Sequence, residues 1–289
     1  MKTIYLFSGA GNDFVVIDGR EGDVSAFREV PRIEALCKEF KTDGLMILGM
    51  PDQVGHDDGS TGSATFMADR DRPSVDFTME FYNPDGSGGM MCGNGGRCIV
   101  AFADYLGIKP SCHPALAEGS YLFMAPDGLH TGEILERPED GLWTVRIKMI
   151  DVQGITPMLG GYFLNTGTRH FVKFVDDVEQ VDVDAEGKAL RWNEAFAPIG
   201  TNVNFVHVAP DGLHVRTFEK GVEGETLACG TGLTASALVA HHAGVPTATP
   251  GAYRLRARQD WLSVNFTPGA DEKFTDVYLT GPARLVEIR

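Results

Sequence analysis

The chain has 289 residues, 43% hydrophobic and 22% charged, an ordinary globular composition with room for one large domain or two smaller ones. Its formal net charge of −15 argues against nucleic acid or an anionic membrane surface as partner, because both call for basic patches. No run approaches the ~18 apolar residues that span a bilayer, and the N-terminal apolar stretch ends at Ser8, too early for a signal-peptide core, so a cytoplasmic protein is expected.

Taken in order, Tyr5-Leu6-Phe7 reads as a short strand. A turn over Ser8 to Asp13 then leads into the β-branched strand Phe14 to Asp18. The glycine-rich turn fits a simple hairpin, yet Asn12 and Asp13 enter a buried strand and need partners or a ligand. A helix is expected from about Pro31 to Phe40, with proline suited to its first turn, and a strand over Leu45 to Leu48. Residues 51–74 are rich in Gly, Ser and Asp without helical or strand period, and read as a surface loop or hairpin insert. Val75 to Tyr82 alternates as a strand and closes in the turn Asn83-Pro84-Asp85-Gly86.

Next comes Met91-Cys92-Gly93-Asn94-Gly95-Gly96-Arg97-Cys98, followed by the apolar run Ile99 to Ala103 and a cap at Gly107. Ala228-Cys229-Gly230-Thr231-Gly232 repeats this pattern before Leu233 to Leu238. The order of motifs is also repeated. Pro-Asp-Gly-Leu-His occurs at 126–130 and at 210–214, Leu164 to Val172 echoes the Asn12 entry, and Thr201 to Val206 stands where Thr42 to Ile47 stood. Strands follow at Arg254 to Arg258, Leu262 to Phe266 and Val277 to Arg289.

The expected fold is therefore α+β, with two similar strand-rich domains, each wrapped on one buried helix, and a cleft between them. The division is expected at 1–118, completed by the final strand at about 276–289, and 119–275, with the proline-bearing Lys109 to Gly119 as the boundary.

Five cysteines, with no Cys-x-x-Cys pair, suggest neither a disulfide scaffold nor a structural zinc site. Cys37 and Cys98 fit core positions on helices, and Cys112 lies in a loop without evident role. Cys92 and Cys229 differ, because each precedes a helix. A helix N-terminus presents unsatisfied N–H groups and partial positive charge, which favours thiolate over thiol and accepts a carboxylate. Two such thiols facing one carbon can invert it: one thiolate removes the α-proton and the opposite thiol donates from the other side. The pair then titrates as a coupled unit. No pyridoxal phosphate, flavin or nicotinamide motif is present, and Gly9-Ala10-Gly11 lacks the dinucleotide fingerprint, so no cofactor and no metal are expected. A dithiol redox or metal-binding role fits less well, since redox pairs usually sit close in sequence.

These motifs resemble the diaminopimelate epimerases, cofactor-independent amino-acid epimerases. The resemblance spans nearly the whole chain through Gly9 to Phe14, Asn83 to Ser87, Cys92 to Cys98, Gly167 to His170, Glu219 to Thr226, Ala228 to Gly232 and Gly281-Pro282-Ala283. It implies that Cys92 and Cys229 are the acid–base pair, and that Gly93, Asn94, Gly230 and Thr231 hold the reacting end of a small amino-acid substrate. It further implies substrate contacts from Asn12, Asn83, Asn204, Glu219 and Lys220, with His170 and Glu219 tuning the thiols.

Several positions depart from the family pattern. Lys220 stands where arginine is usual, and loses the planar fork for a distal carboxylate. Thr168-Arg169 replaces Asn-Pro before the histidine, Ser8 a histidine, and Gly44 a glutamine. Arg169 is either a replacement cation or solvent-facing. The implied reaction is LL-2,6-diaminopimelate to meso-diaminopimelate, in lysine and peptidoglycan precursor synthesis; a racemase of proline, hydroxyproline or histidine type is the alternative. A homodimer is one assembly open to such a protein.

Overall fold

A computed structural model describes residues 2–51, 74–89, 91–111 and 116–289. The insert expected over 51–74, apart from its two end residues, and the Cys112 loop lie outside the described residues.

Strand pairing sorts the chain into two rings, the first of them closed strand to strand. In the first, β1 (Ile4–Gly9) and β2 (Asn12–Asp18) form a hairpin whose two turn residues, Ala10 and Gly11, both have positive φ. Helix α1 (Val30–Phe40) then carries the chain to β3 (Gly44–Gly49), which lies parallel to β2. Strand β4 (Phe77–Tyr82) returns antiparallel, and α2 (Gly93–Tyr105) crosses over to β5 (Ser120–Ala125), parallel to β4. A meander of β5, β6 (Gly128–Glu139) and β7 (Leu142–Lys148) follows. The C-terminal strand β17 (Lys273–Ile288) closes the ring, pairing with β7 over Gly281 to Arg284 and with β1 over Arg284 to Ile288.

The second ring repeats this connectivity. Strands β8 (Val152–Gln153) and β9 (Thr156–Met158) lead into the hairpin of β10 (Gly161–Asn165) and β11 (Arg169–Phe174). Helix α3 (Val183–Arg191) precedes β12 (Asn202–Ala209), parallel to β11. Strand β13 (Gly212–Glu219) pairs with β12 and with the short β14 (Gly224–Thr226), and α4 (Gly230–His242) crosses over to β15 (Ala252–Arg256), parallel to β13. Strand β16 (Trp261–Pro268) and the first part of β17 complete it, with β8 beyond.

The division expected at 118/119 is corrected by this pairing. The proline-bearing stretch after α2 is a crossover inside the first ring, because β4 and β5 are parallel and need a long connection. The rings meet instead between Lys148 and Val152, and β17 serves both, its earlier residues in the second ring and its later ones in the first.

Each ring encloses a helix buried on all sides. Helix α2 is buried continuously from Gly93 to Ala103, against Phe7, Phe14, Phe77, Phe123, Trp143 and Ile147. Helix α4 occupies the matching position among Leu164, Val172, Leu213, Leu255, Val264 and Leu279. An all-round apolar helix is stable only when so enclosed. The amphipathic α1 packs outside the first ring through Ile33, Leu36 and Cys37, so Cys37 is a core residue. Helix α3 covers the second ring in the same way. Among the described residues no helix is long and apolar enough to cross a membrane.

Candidate active site

The enclosed helices bring their N-termini together. Cys92 is the N-cap of α2 and Cys229 the N-cap of α4, both with extended backbone. A Cβ placed on Gly93 would lie 3.8 Å from the Gly230 Cα, and one on Gly230 would lie 3.6 Å from the Gly93 Cα. Both would also crowd Leu279 of β17, at 3.0 and 2.9 Å. Glycine at each position thus lets Leu279 pack against the two abutting helix starts.

Polar ties hold the junction. The Asn94 side chain donates to the Ala228 carbonyl (2.9 Å) and to Asn12 Oδ1, which links the first helix to the second motif and to the β1–β2 hairpin. Its own Oδ1 accepts from Arg97 Nη2 (2.9 Å). Arg97 is wholly buried and also donates to the Gly93 and Pro282 carbonyls, both at 3.2 Å. No carboxylate pairs with its guanidinium among the described residues, so its positive charge is left to act on the thiols nearby.

The sulfurs have different neighbours. Cys92 Sγ accepts the Gly95 N–H at 3.1 Å. Burial pushes the Cys92 thiol up, and the Glu219 carboxylate adds to this; the Gly95 amide and the Arg97 charge pull the other way. Cys229 Sγ makes no such capping bond and has the Thr231 hydroxyl at 3.5 Å. Burial pushes this thiol well above its ordinary range, reinforced by Glu219 and opposed by Thr231. Glu219, at the end of β13, accepts from Thr226 Oγ1 at 2.5 Å, and burial raises its own carboxyl.

A cleft of about 1540 Å3 opens over both helix starts. It is lined by Cys92, Cys229, Gly93, Asn94, Gly230, Thr231, Asn12, Asn83, Glu219 and Lys220, so the fold gathers these expected residues in one place. Three others lie elsewhere. Asn204 is fully buried behind the cleft wall, and its amide is consumed by His170, Phe171 and Thr217. The expectation that it touches substrate is therefore corrected. Its strand neighbour Asn202, on the same face two residues earlier, lines the cleft instead, and nothing in the alternating pattern could choose between them. His170 is also wholly buried, and desolvation pushes it down to about 3, so the ring is neutral. Arg169 is neither a cleft cation nor solvent-facing: it donates to the Phe196 carbonyl at 3.2 Å and stacks over Phe163.

Sequence reasoning overlooked Thr168, Asp43 and Lys148 in the cleft wall and the buried Arg97 beneath it. Asp43 accepts the Asp13 N–H at 2.9 Å and so holds the hairpin against β3. Among the described residues no cluster of three or more His, Cys, Asp or Glu is arranged to hold a metal ion. What the arrangement offers is one part-buried and one buried thiol, two helix starts between them, and one carboxylate that influences both.

Comparison with known proteins bears on this arrangement. A family model described as "Diaminopimelate epimerase" matches residues 162–286. The diaminopimelate epimerase of Chlorobaculum tepidum is 36% identical over 96% of this chain and 97% of its own length. That of Flavobacterium psychrophilum is 34% identical over 98% and 97%. Among solved structures, a Bacillus anthracis phenazine biosynthesis protein of the PhzF family superposes with a TM-score of 0.67 at 12% identity, covering 100% of this chain and 98% of that one. A probable proline racemase from Agrobacterium radiobacter superposes at 0.64 and 14% identity, covering 100% and 91%. These two structures share the fold.

Proposed function

The chain belongs to the diaminopimelate epimerase family, and from that premise we propose that it is an isomerase that inverts one α-carbon of LL-2,6-diaminopimelate to give meso-diaminopimelate, a step in making lysine and peptidoglycan precursors. The observation that carries the reading is the meeting of two N-cap cysteines across abutting glycines.

In this reading the α-carbon sits between Cys92 and Cys229. The thiolate takes the α-proton, the opposite thiol delivers its own to the other face, and the pair ends with its protonation exchanged. The helix-start amides of Gly93, Asn94, Gly230 and Thr231 hold the α-carboxylate and meet the negative charge that develops on it. The proton exchange itself requires no cofactor or metal. Asn12, Asn83, Asn202, Glu219 and Lys220 contact the rest of the substrate, and the two rings act as two domains with the reaction between them.

Incubating the reduced protein with LL-diaminopimelate, proline, hydroxyproline or histidine, followed by chiral separation, tests the assignment. Meso product from the first alone is expected. Inversion of another amino acid in its place would keep the chemistry and overturn the substrate.

A further inference from the structure

Behind Cys229 lies a chain of polar groups whose direction can be derived. The Asn204 amide donates to the Phe171 carbonyl (3.2 Å), and its Oδ1 accepts from Thr217 Oγ1 (3.0 Å). A carbonyl can only accept, so this end of the amide is the NH2. The same NH2 faces His170 Nδ1 at 3.0 Å, which leaves Nδ1 as the acceptor and places the ring proton on Nε2. Asn202 is oriented by the same logic: its NH2 meets the Arg169 carbonyl (3.0 Å), and its Oδ1 accepts the Lys220 N–H (2.8 Å).

Thr168 Oγ1 is then surrounded by donors, His170 Nε2 at 2.9 Å and Asn202 Nδ2 at 3.3 Å. Its own hydrogen is left for Thr231 Oγ1, 3.3 Å away. Thr231 Oγ1 also lies 3.0 Å from His170 Nε2, so the one acceptor left for its hydrogen in this cluster is Cys229 Sγ at 3.5 Å.

We propose that Asn204 and Asn202 are positioning residues that fix the polarity of this chain, so that His170 is a permanent neutral donor and the Thr231 hydroxyl points its hydrogen at the Cys229 sulfur. His170 then carries no proton in the reaction. The chain stabilises the Cys229 thiolate against the Glu219 carboxylate, the one charged group found to act on this sulfur. It also explains Gly232 in the Cys-Gly-Thr-Gly motif, where a Cβ would lie 2.3 Å from Asn204 Oδ1. The inference rests on Cys229 being an acid–base thiol, but its test needs no substrate.

Two-bond proton–nitrogen NMR of histidine-labelled wild-type protein should show His170 with Nδ1 bare and Nε2 protonated throughout about pH 5 to 9. An Nδ1–H tautomer or an imidazolium in that range would overturn the proposal. Iodoacetamide labelling of Cys229, followed by mass spectrometry in a Cys92→Ala background, gives the pH midpoint for its ionisation. Asn204→Leu should raise that midpoint and slow labelling at neutral pH about tenfold, as expected for one lost charge-assisted hydrogen bond. Thr231→Val should reproduce the effect, and Thr231→Ser should restore the wild-type midpoint. A lowered Tm with no change of midpoint in either disruptive variant would reduce the cluster to a structural role. Should Asn204→Leu not fold, the NMR result and the Thr231 pair still decide. Failure to turn over diaminopimelate would leave these readouts untouched.

Discussion

The two cysteine sites occupy matching places in matching rings, yet their surroundings are unlike. Register aligns Phe14 and Met46 of the first ring with His170 and Asn204 of the second, through the parallel pairs β2–β3 and β11–β12. Behind Cys92 the wall is apolar, with Met46 near Gly95, and the sulfur is served by a helix amide and the buried Arg97. Behind Cys229 the wall is polar, and the sulfur is served by a hydroxyl as well as the Gly232 amide, and set against a carboxylate without a neighbouring cation among the described residues. A duplicated scaffold thus holds two thiols whose ionisation is controlled by different means. Such a difference sets which thiol ionises first, while the coupling of the pair keeps one proton between them.

The comparison breaks most completely at the sulfurs. Cys92→Ala and Cys229→Ala should each lower kcat on the order of 10²–10⁴-fold with little change in KM, in steady-state assays run in both directions. Full activity in either variant would end the two-base account.

Next in size is Arg97→Gln, which keeps a donor and removes the charge. Without the cation the Cys92 thiolate is less favourable, so its labelling midpoint should rise by about one pH unit while that of Cys229 stays put. Arg97→Lys should lie between. Equal movement of both midpoints would mean that Arg97 does not distinguish the sites.

Glu219→Gln removes the negative charge that opposes both thiolates. Both midpoints should fall, Cys229 by more, and the acid limb of the labelling profile should move to lower pH. A rise at Cys229 would show that the carboxylate is protonated when the thiol ionises.

A smaller effect is expected from Gly232→Ala, at about 1–3 kcal/mol by denaturant unfolding, since the added methyl displaces Asn204. The smallest concerns the repeated pentapeptide. Asp127 pairs with His130 and also accepts the Met91 N–H beside Cys92, whereas Asp211 pairs with His214 away from the cleft. Asp127→Ala should lower kcat a few-fold and Asp211→Ala should leave both kcat and Tm unchanged.

Much of this arrangement was legible from residue order. The Cys-Gly-x-Gly pattern before an apolar run announces a helix start, and its recurrence with the Pro-Asp-Gly-Leu-His turn announces two similar halves. Helix α3 was missed because its inward positions, Val183, Gly187 and Arg191, carry almost no apolar signal; Gly187 is small because Phe218 lies where its Cβ would be. The boundary was misplaced because a proline-bearing stretch serves equally as a linker or as a crossover. Asn202 and Asn204 share a face and are both buried, and only the depth of each along β12 separates the one that reaches the cleft wall from the one with no exposure. Arg97 was hidden for a related reason, since an arginine after a glycine-rich loop reads as exposed until its burial is seen.

Inversion here depends on two different thiols acting on opposite faces of one carbon. The most direct test is turnover of LL-diaminopimelate in D2O under reducing conditions, stopped at low conversion, with deuterium located by NMR in product and in recovered substrate. Two bases give meso product carrying deuterium at the inverted α-carbon and recovered LL substrate almost free of it, because the group that removes the proton is not the one that returns it. Deuterium entering the recovered substrate as fast as product forms would point to a single base acting on one face.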